Sequence, residues 1–220
     1  MKMKQKLIAG AIALSAMAGF SVPAAHAEVA ASVGANNMYY WRGLDLGSGD
    51  AQVWGDLKLT GAGFYGGVWA GSGDAVWGTE YDTYVGYGAS FGDFKFDVSV
   101  VSYNYATYDV APGDFAEAIV AVGYGPVTFT YYDNIANTTY GEGEEIIGFG
   151  YDDYNYMTLA ATFGAFTAKY GVHEDDLAHV DLTYAYNEKL SFTIGKVVDD
   201  VEGFYNDEAK IIVSLSLPIE

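Results

Sequence analysis

The feature that most constrains this chain is the stretch Thr79 to Tyr105, where apolar and polar residues alternate over an unusual length. Tyr81, Thr83, Val85, Tyr87 and Ala89 alternate with Glu80, Asp82, Tyr84, Gly86, Gly88 and Ser90. After a tight turn at Phe91-Gly92-Asp93, Phe94, Phe96, Val98 and Val100 alternate with Lys95, Asp97 and Ser99. Successive side chains of a strand point to opposite faces, so each strand has an apolar face and a face of acids, Lys, Ser and Gly. A tilted bilayer-spanning strand needs about 9–11 residues, whereas strands of soluble domains usually have about 5–6. The hairpin therefore predicts a transmembrane barrel. Its phase slips at Val100-Val101, where Tyr103 and Tyr105 continue the apolar face, which predicts a β-bulge.

Residues 1–27 form a separate leader: Lys2, Lys4 and Lys6, an apolar run from Leu7 to Phe20, and Ala25-His26-Ala27 as an Ala-x-Ala cleavage signal. The mature chain is expected to be residues 28–220, exported from a Gram-negative cytoplasm. No later segment resembles a membrane helix, although the chain carries 20 Tyr, 12 Phe and 28 Gly. Without helices, only a closed barrel can cross a bilayer, because every backbone polar group there must be paired internally. Cysteine is absent, which excludes thiolate metal sites and Cys nucleophiles. Removing the leader lysines leaves seven Lys plus Arg against 29 Asp plus Glu, a net charge of −22, which argues against nucleic acid as a partner.

The turn signals have a rhythm. Strands are expected over 28–42, 50–60, 64–70, the two arms of the 79–105 hairpin, 114–124, 127–135, 154–163, 165–173, 178–186, 190–198 and 207–217. That makes about twelve, with ten as the alternative count. Short turns near 62, 92, 125, 164 and 188 alternate with long polar loops near 46, 74, 109, 145, 176 and 202. Bacterial outer-membrane barrels sort their connections this way, with short periplasmic turns and longer outer loops. Whether residues 145–151 extend a strand is open from the sequence. The fold class is all-β, a single antiparallel transmembrane barrel.

Several blocks carry a family likeness: Tyr39-Tyr40-Trp41-Arg42-Gly43-Leu44, Gly63-Phe64-Tyr65-Gly66-Gly67-Val68-Trp69, Glu80 to Tyr87, and Phe91-Gly92-Asp93-Phe94. In these the chain resembles the TorF family of outer-membrane porins, a conserved hypothetical family of the Gcw type, over roughly the first half of the mature sequence. The resemblance implies an outer-membrane location and a pore. It carries over no substrate. The chain departs from the family at Met38, and from barrel proteins generally in ending Leu217-Pro218-Ile219-Glu220 rather than on an aromatic.

If the apolar phase faces lipid, Asp56, Glu80, Asp82, Asp97, Glu117 and Asp181 point inward together with Arg42, Lys58, Lys95, Lys169 and Lys210. A Lys or Arg on the lipid face near mid-membrane costs roughly 2–4 kcal/mol, which enforces the sorting. These residues are the expected pore lining; the competing reading is that they pair across strands and fill a narrow barrel. Tyr39, Trp41, Trp69 and Tyr103 are expected on the apolar face as an interfacial girdle. His173 and His179 flank Glu174-Asp175-Asp176 and are expected in an exposed rim loop, with a lipid-modifying site as the minor alternative. Glu142, Glu144, Glu145, Glu174, Asp175 and Asp176 are weak candidates for a divalent cation at the outer loops.

The functional expectation is a porin-like channel, not an enzyme, passing small hydrophilic solutes or cations with weak cation preference. A non-conducting structural or adhesive barrel is the alternative, and an outer-membrane lipid-modifying enzyme the third. No cofactor motif is present. Expected partners are outer-membrane lipid and, during biogenesis, the barrel-assembly machinery; oligomeric state is not legible.

Overall fold

The computed structural model describes residues 27–219 except 138, 141–143, 146–153, 175, 201, 202 and 204. The leader segment 1–26, Glu142, Asp175 and most of the 145–151 stretch lie outside the described residues. Twelve antiparallel strands close into one barrel in sequence order. They are β1 (Glu28–Asn36), β2 (Gln52–Gly61), β3 (Phe64–Asp74), β4 (Gly78–Phe91), β5 (Phe94–Tyr105) and β6 (Ala116–Tyr124). The second half comprises β7 (Val127–Ala136), β8 (Asn155–Phe163), β9 (Phe166–His173), β10 (Ala178–Ala185), β11 (Leu190–Asp199) and β12 (Lys210–Ile219). Pairing of β1 with β12, as at Val33 and Leu217, closes the ring and leaves no free edge.

Alternation sets the two faces. Leu57, Val85, Leu159 and Leu182 stand outward and exposed, while Asp82 and Asp97 on the opposite phase are fully buried. The connections sort by length as expected, short turns at one end and long ones at the other. Ala62-Gly63 shows how a short turn is made: both residues have positive φ, 52° and 87°, the geometry whose twist matches that of the flanking strands.

Three expectations are corrected. The first strand stops at Asn36 instead of running to Arg42, and the chain then leaves the barrel wall. No bulge occurs at Val100-Val101: β5 pairs with β4 and β6 in unbroken register, so Tyr103 and Tyr105 keep the inward phase and are buried. Register shifts fall instead at Gly71/Asp74, Ala116/Glu117 and Ala178/His179, all at the long-loop end. The proposed girdle is also overturned. Tyr39, Trp69 and Tyr103 are buried inside, and Trp41 lies on the in-folded loop. Phenols and indoles pair an apolar body with a polar tip, so their presence on a strand does not say which face they take.

Candidate functional site

The site is built by the segment between β1 and β2, which folds into the barrel. The Asn37 side chain accepts from the Val213 backbone N–H (2.7 Å) and donates to the Ile211 carbonyl (2.9 Å), tying the chain to β12 where it departs. Tyr40–Trp41 then pairs with Leu44–Asp45 in a miniature hairpin. Arg42 and Gly43 form its two-residue turn, at φ 47° and 91°. Leu44 packs with Leu177 and Val197, and the Ala75 backbone N–H donates to the Leu46 carbonyl at 2.9 Å. The loop is thereby fastened at its root, tip and exit.

Arg42 is the centre of this arrangement. It donates two hydrogen bonds to the Glu117 carboxylate, at 2.8 and 2.5 Å, and Tyr103 donates a third to the same group at 2.8 Å. Its guanidinium also lies 4.2 Å from the Trp41 ring centroid, 4.5 Å from that of Tyr132 and 4.6 Å from that of Tyr156. Burial works against its charge, but the neighbouring groups together, Glu117 foremost, outweigh it and hold the guanidinium protonated. The Arg42 carbonyl can only accept, so His173 must donate to it through Nε2 at 2.8 Å. Nδ1 of His173 is then the acceptor for the Tyr154 hydroxyl at 2.7 Å, and Tyr154 in turn accepts from Arg42 at 3.3 Å.

A second anchor is Asp181 on β10. The Tyr40 hydroxyl donates to Asp181 Oδ1 at 2.6 Å, and Lys169 pairs with Oδ2 at 2.8 Å. His179 Nδ1 lies 3.1 Å from Asp181 Oδ1, so it donates there, and its Nε2 accepts from the Tyr156 hydroxyl at 2.7 Å. Burial, and then the neighbouring carboxylates of Glu80 and Asp181 respectively, push the Tyr39 and Tyr40 phenols well above their ordinary range. Both therefore remain neutral donors at any physiological pH. Gly195 makes room for the second anchor: a Cβ there would stand 2.1 Å from the Tyr40 hydroxyl oxygen and 3.1 Å from Asp181 Oδ1. Gly195→Ala is accordingly expected to cost about 1–3 kcal/mol through overpacking. A denaturant midpoint equal to that of the parent chain would contradict the close approach.

Ten of the eleven charged residues expected to face inward stand on the inward phase of their strands, in different settings, and the eleventh, Arg42, lies on the loop. Arg42 with Glu117 and Lys169 with Asp181 form ion pairs near the long-loop end. Nearer the short-turn end, Asp56 accepts from Tyr84 at 2.8 Å, Asp97 accepts from Tyr65 at 2.7 Å, and Lys58 lies over the Tyr65 ring at 4.2 Å. Lys58, Lys95 and Asp56 are only partly buried, so accessible space surrounds the charges in that half of the lumen. Glu80 and Asp82 are buried beside the loop, and Lys210 sits at the long-loop rim with its ammonium on the Asn206 carbonyl. Arg42 reaches the lumen from the loop rather than from a strand.

The histidines are not in an exposed rim loop. His173 is 2% and His179 0% exposed, at the ends of β9 and β10. Among the loop acids, Glu174 accepts from the Asn155 N–H and Asp176 sits at a positive-φ turn, while Glu144 and Glu145 form a two-residue ladder with Thr139 and Tyr140. Among the described residues, no group of three or more metal-ligating side chains comes together. The sequence reading missed Lys196, which shares the outward phase of Ile194 and Val198 near the long-loop end. It also missed Tyr40, Tyr154 and Tyr156, whose partners lie many positions away in the chain.

Over residues 21–201 the chain matches the family model described as a bacterial protein of unknown function (Gcw_chp), and it belongs to that family. A search of curated proteins finds no significant match.

Proposed function

We propose that this member of the Gcw_chp family is an outer-membrane channel of the porin kind, the role implied by its likeness to the TorF family. It would pass small hydrophilic solutes or ions with a weak preference for cations, after export through a cleaved leader and insertion by the barrel-assembly machinery. The observation that carries the reading is a lumen that bears charge along its length and is narrowed by one loop, itself held by the Arg42–Glu117 pair. A purely structural barrel has no need for solvent-accessible Lys58, Lys95 and Asp56 inside it. Acids of the outer loops, Glu174 and Asp176 among them, add a negative field that reaches about 8 Å at physiological salt, comparable to the radius of a small pore.

The test is conductance of the refolded chain 28–220 in planar bilayers, alone and with residues 38–46 replaced by a short Gly-Ser link. Small unitary steps are expected from the parent chain and larger ones from the variant. In a KCl gradient the reversal potential should lie toward that of K⁺ and relax toward zero as salt rises. An anion-directed potential would refute the selectivity. Silence from both proteins would refute the channel and favour the second reading, a non-conducting barrel, which draws support from the tight packing of Tyr39, Arg42, His173 and His179 around the loop. A lipid-modifying role would need a histidine within reach of an acyl chain, and both rings are enclosed.

A further inference from the structure

We propose that the chamber between the in-folded loop and the long-loop rim binds a small organic cation of the alkylammonium or quaternary ammonium class. As a statement of what the pore selects, this rests on the channel reading; as a statement about binding, it stands apart from it. The chamber holds about 230 Å³, less than the roughly 300–1,000 Å³ of sites for drug-sized ligands, so its occupant has few heavy atoms. Exposed Val76 is part of its lining, so it opens at the long-loop surface.

Its walls are aromatic. Trp41 comes from the loop, Trp77 from the β3–β4 connection, Tyr103 and Tyr105 from β5, and Phe115 from the segment before β6. These rings hold one another in place. The Trp77 centroid is 5.8 Å from that of Tyr105 and 4.8 Å from that of Tyr108, and the Tyr103 centroid is 5.0 Å from that of Phe115.

Two carboxyl groups, Asp74 and Glu80, share the chamber, and among the described residues no Lys or Arg lines it. Glu80 is fixed by the Tyr39 hydroxyl at 2.5 Å. Asp82 follows on the same inward face, fully buried beside Glu80. Arg42 is committed to Glu117, so its charge is balanced by a residue that is not part of the chamber lining.

That combination selects by chemistry. Anions are repelled. A small inorganic cation gives up a tight hydration shell and needs oxygen ligands to replace it, whereas these walls are mostly ring faces. An ammonium carrying alkyl groups is weakly hydrated, meets the negative faces of the rings, and keeps its charge near the carboxylates. A neutral molecule of the same shape gains only the area term.

The test uses the full mature protein refolded in detergent micelles, titrated calorimetrically and by tryptophan fluorescence. The probes are tetramethylammonium, choline and choline's neutral tert-butyl analogue. Both cations should bind saturably, with the neutral analogue roughly tenfold or more weaker. Trp77→Ala should weaken choline by a similar factor, and Glu80→Gln should narrow the gap between choline and its neutral analogue. Trp77 lies outside the Arg42 network, so its variant keeps the test decisive even if Glu80→Gln folds poorly.

Equal binding of the neutral analogue would overturn the cation assignment. So would absence of saturation with either ammonium ion, or a Trp77→Ala variant that binds choline as the parent does. Because binding is read in micelles, choline binding by a protein silent in bilayers would uphold the site and reject the channel. Conduction without choline binding would do the reverse.

Discussion

Replacing Arg42 with Ala is expected to release the first loop and expose it to chymotrypsin, while the barrel wall stays folded. In the parent chain Tyr39 is buried, and Tyr40 and Trp41 are packed against the lumen, so the protease has no extended backbone to grip. The substitution removes two hydrogen bonds to Glu117 and the ring contacts to Trp41, Tyr132 and Tyr156. It also leaves a carboxylate buried without its cation. Breaking a buried pair from one side costs about 3–5 kcal/mol, so loop opening and cleavage at Tyr39–Trp41 should rise roughly a hundredfold or more. Arg42→Lys should fall between, since an ammonium cannot bond both carboxylate oxygens in a planar fork or lie flat on a ring. The double change Arg42→Met with Glu117→Leu should recover much of the protection, because it removes both charges together. Parent-like resistance in Arg42→Ala would mean that the Asp181 anchor and the Leu44 packing hold the loop without the ion pair. In bilayers the same variant should pass larger unitary currents than the parent.

The wall of this barrel was written in the alternation, and its contents were not. Phe94, Phe96 and Val98 on one phase with Lys95 and Asp97 on the other give strand, faces and turn together, because the apolar and charged residues keep to opposite faces of the sheet. Arg42 was placed inward correctly but on the wrong element. Tyr39-Tyr40-Trp41 has the composition of a strand, and nothing local announces that Arg42 adopts a positive φ or that its partner is Glu117, 75 positions on. Tyr103 and Tyr105 show the same blindness: aromatic character suggested the apolar face, whereas their hydroxyl-bearing rings fill the space around the loop. The histidines are legible in the same alternation. His179 shares parity with Asp181, and His173 with Lys169, so the phase that placed those two charges inside placed the histidines there as well. What the alternation cannot supply is which inward groups meet, since Tyr156 reaches His179 and Tyr40 reaches Asp181 only once the ring is closed and the loop is in.

If the outward face meets lipid, Leu182→Arg should be among the most damaging single substitutions in the wall. Leu182 lies mid-way along β10, exposed outward, with Ala168 and Ile194 as its cross-strand neighbours. Among the described residues no acid stands beside it on the outward surface, so an arginine there would have no ion partner. Its cost in a bilayer is expected to be about 2–4 kcal/mol, a roughly thirty- to several-hundredfold shift in the folding equilibrium. Thr167→Arg is the control. Thr167 is half-buried on the inward face of β9, and its hydroxyl exchanges a hydrogen bond with that of Thr162. An arginine there can extend into the solvent-accessible half of the lumen, so the loss should stay within about 1 kcal/mol. Both variants would be unfolded reversibly by denaturant in phospholipid vesicles and again in detergent micelles. The difference between them should be large in vesicles and shrink in micelles, where a guanidinium reaches water by a small displacement of detergent. A Leu182→Arg protein as stable in vesicles as Thr167→Arg would mean that the apolar outer face is not in contact with hydrocarbon. The outer-membrane location would then fall, and with it the channel.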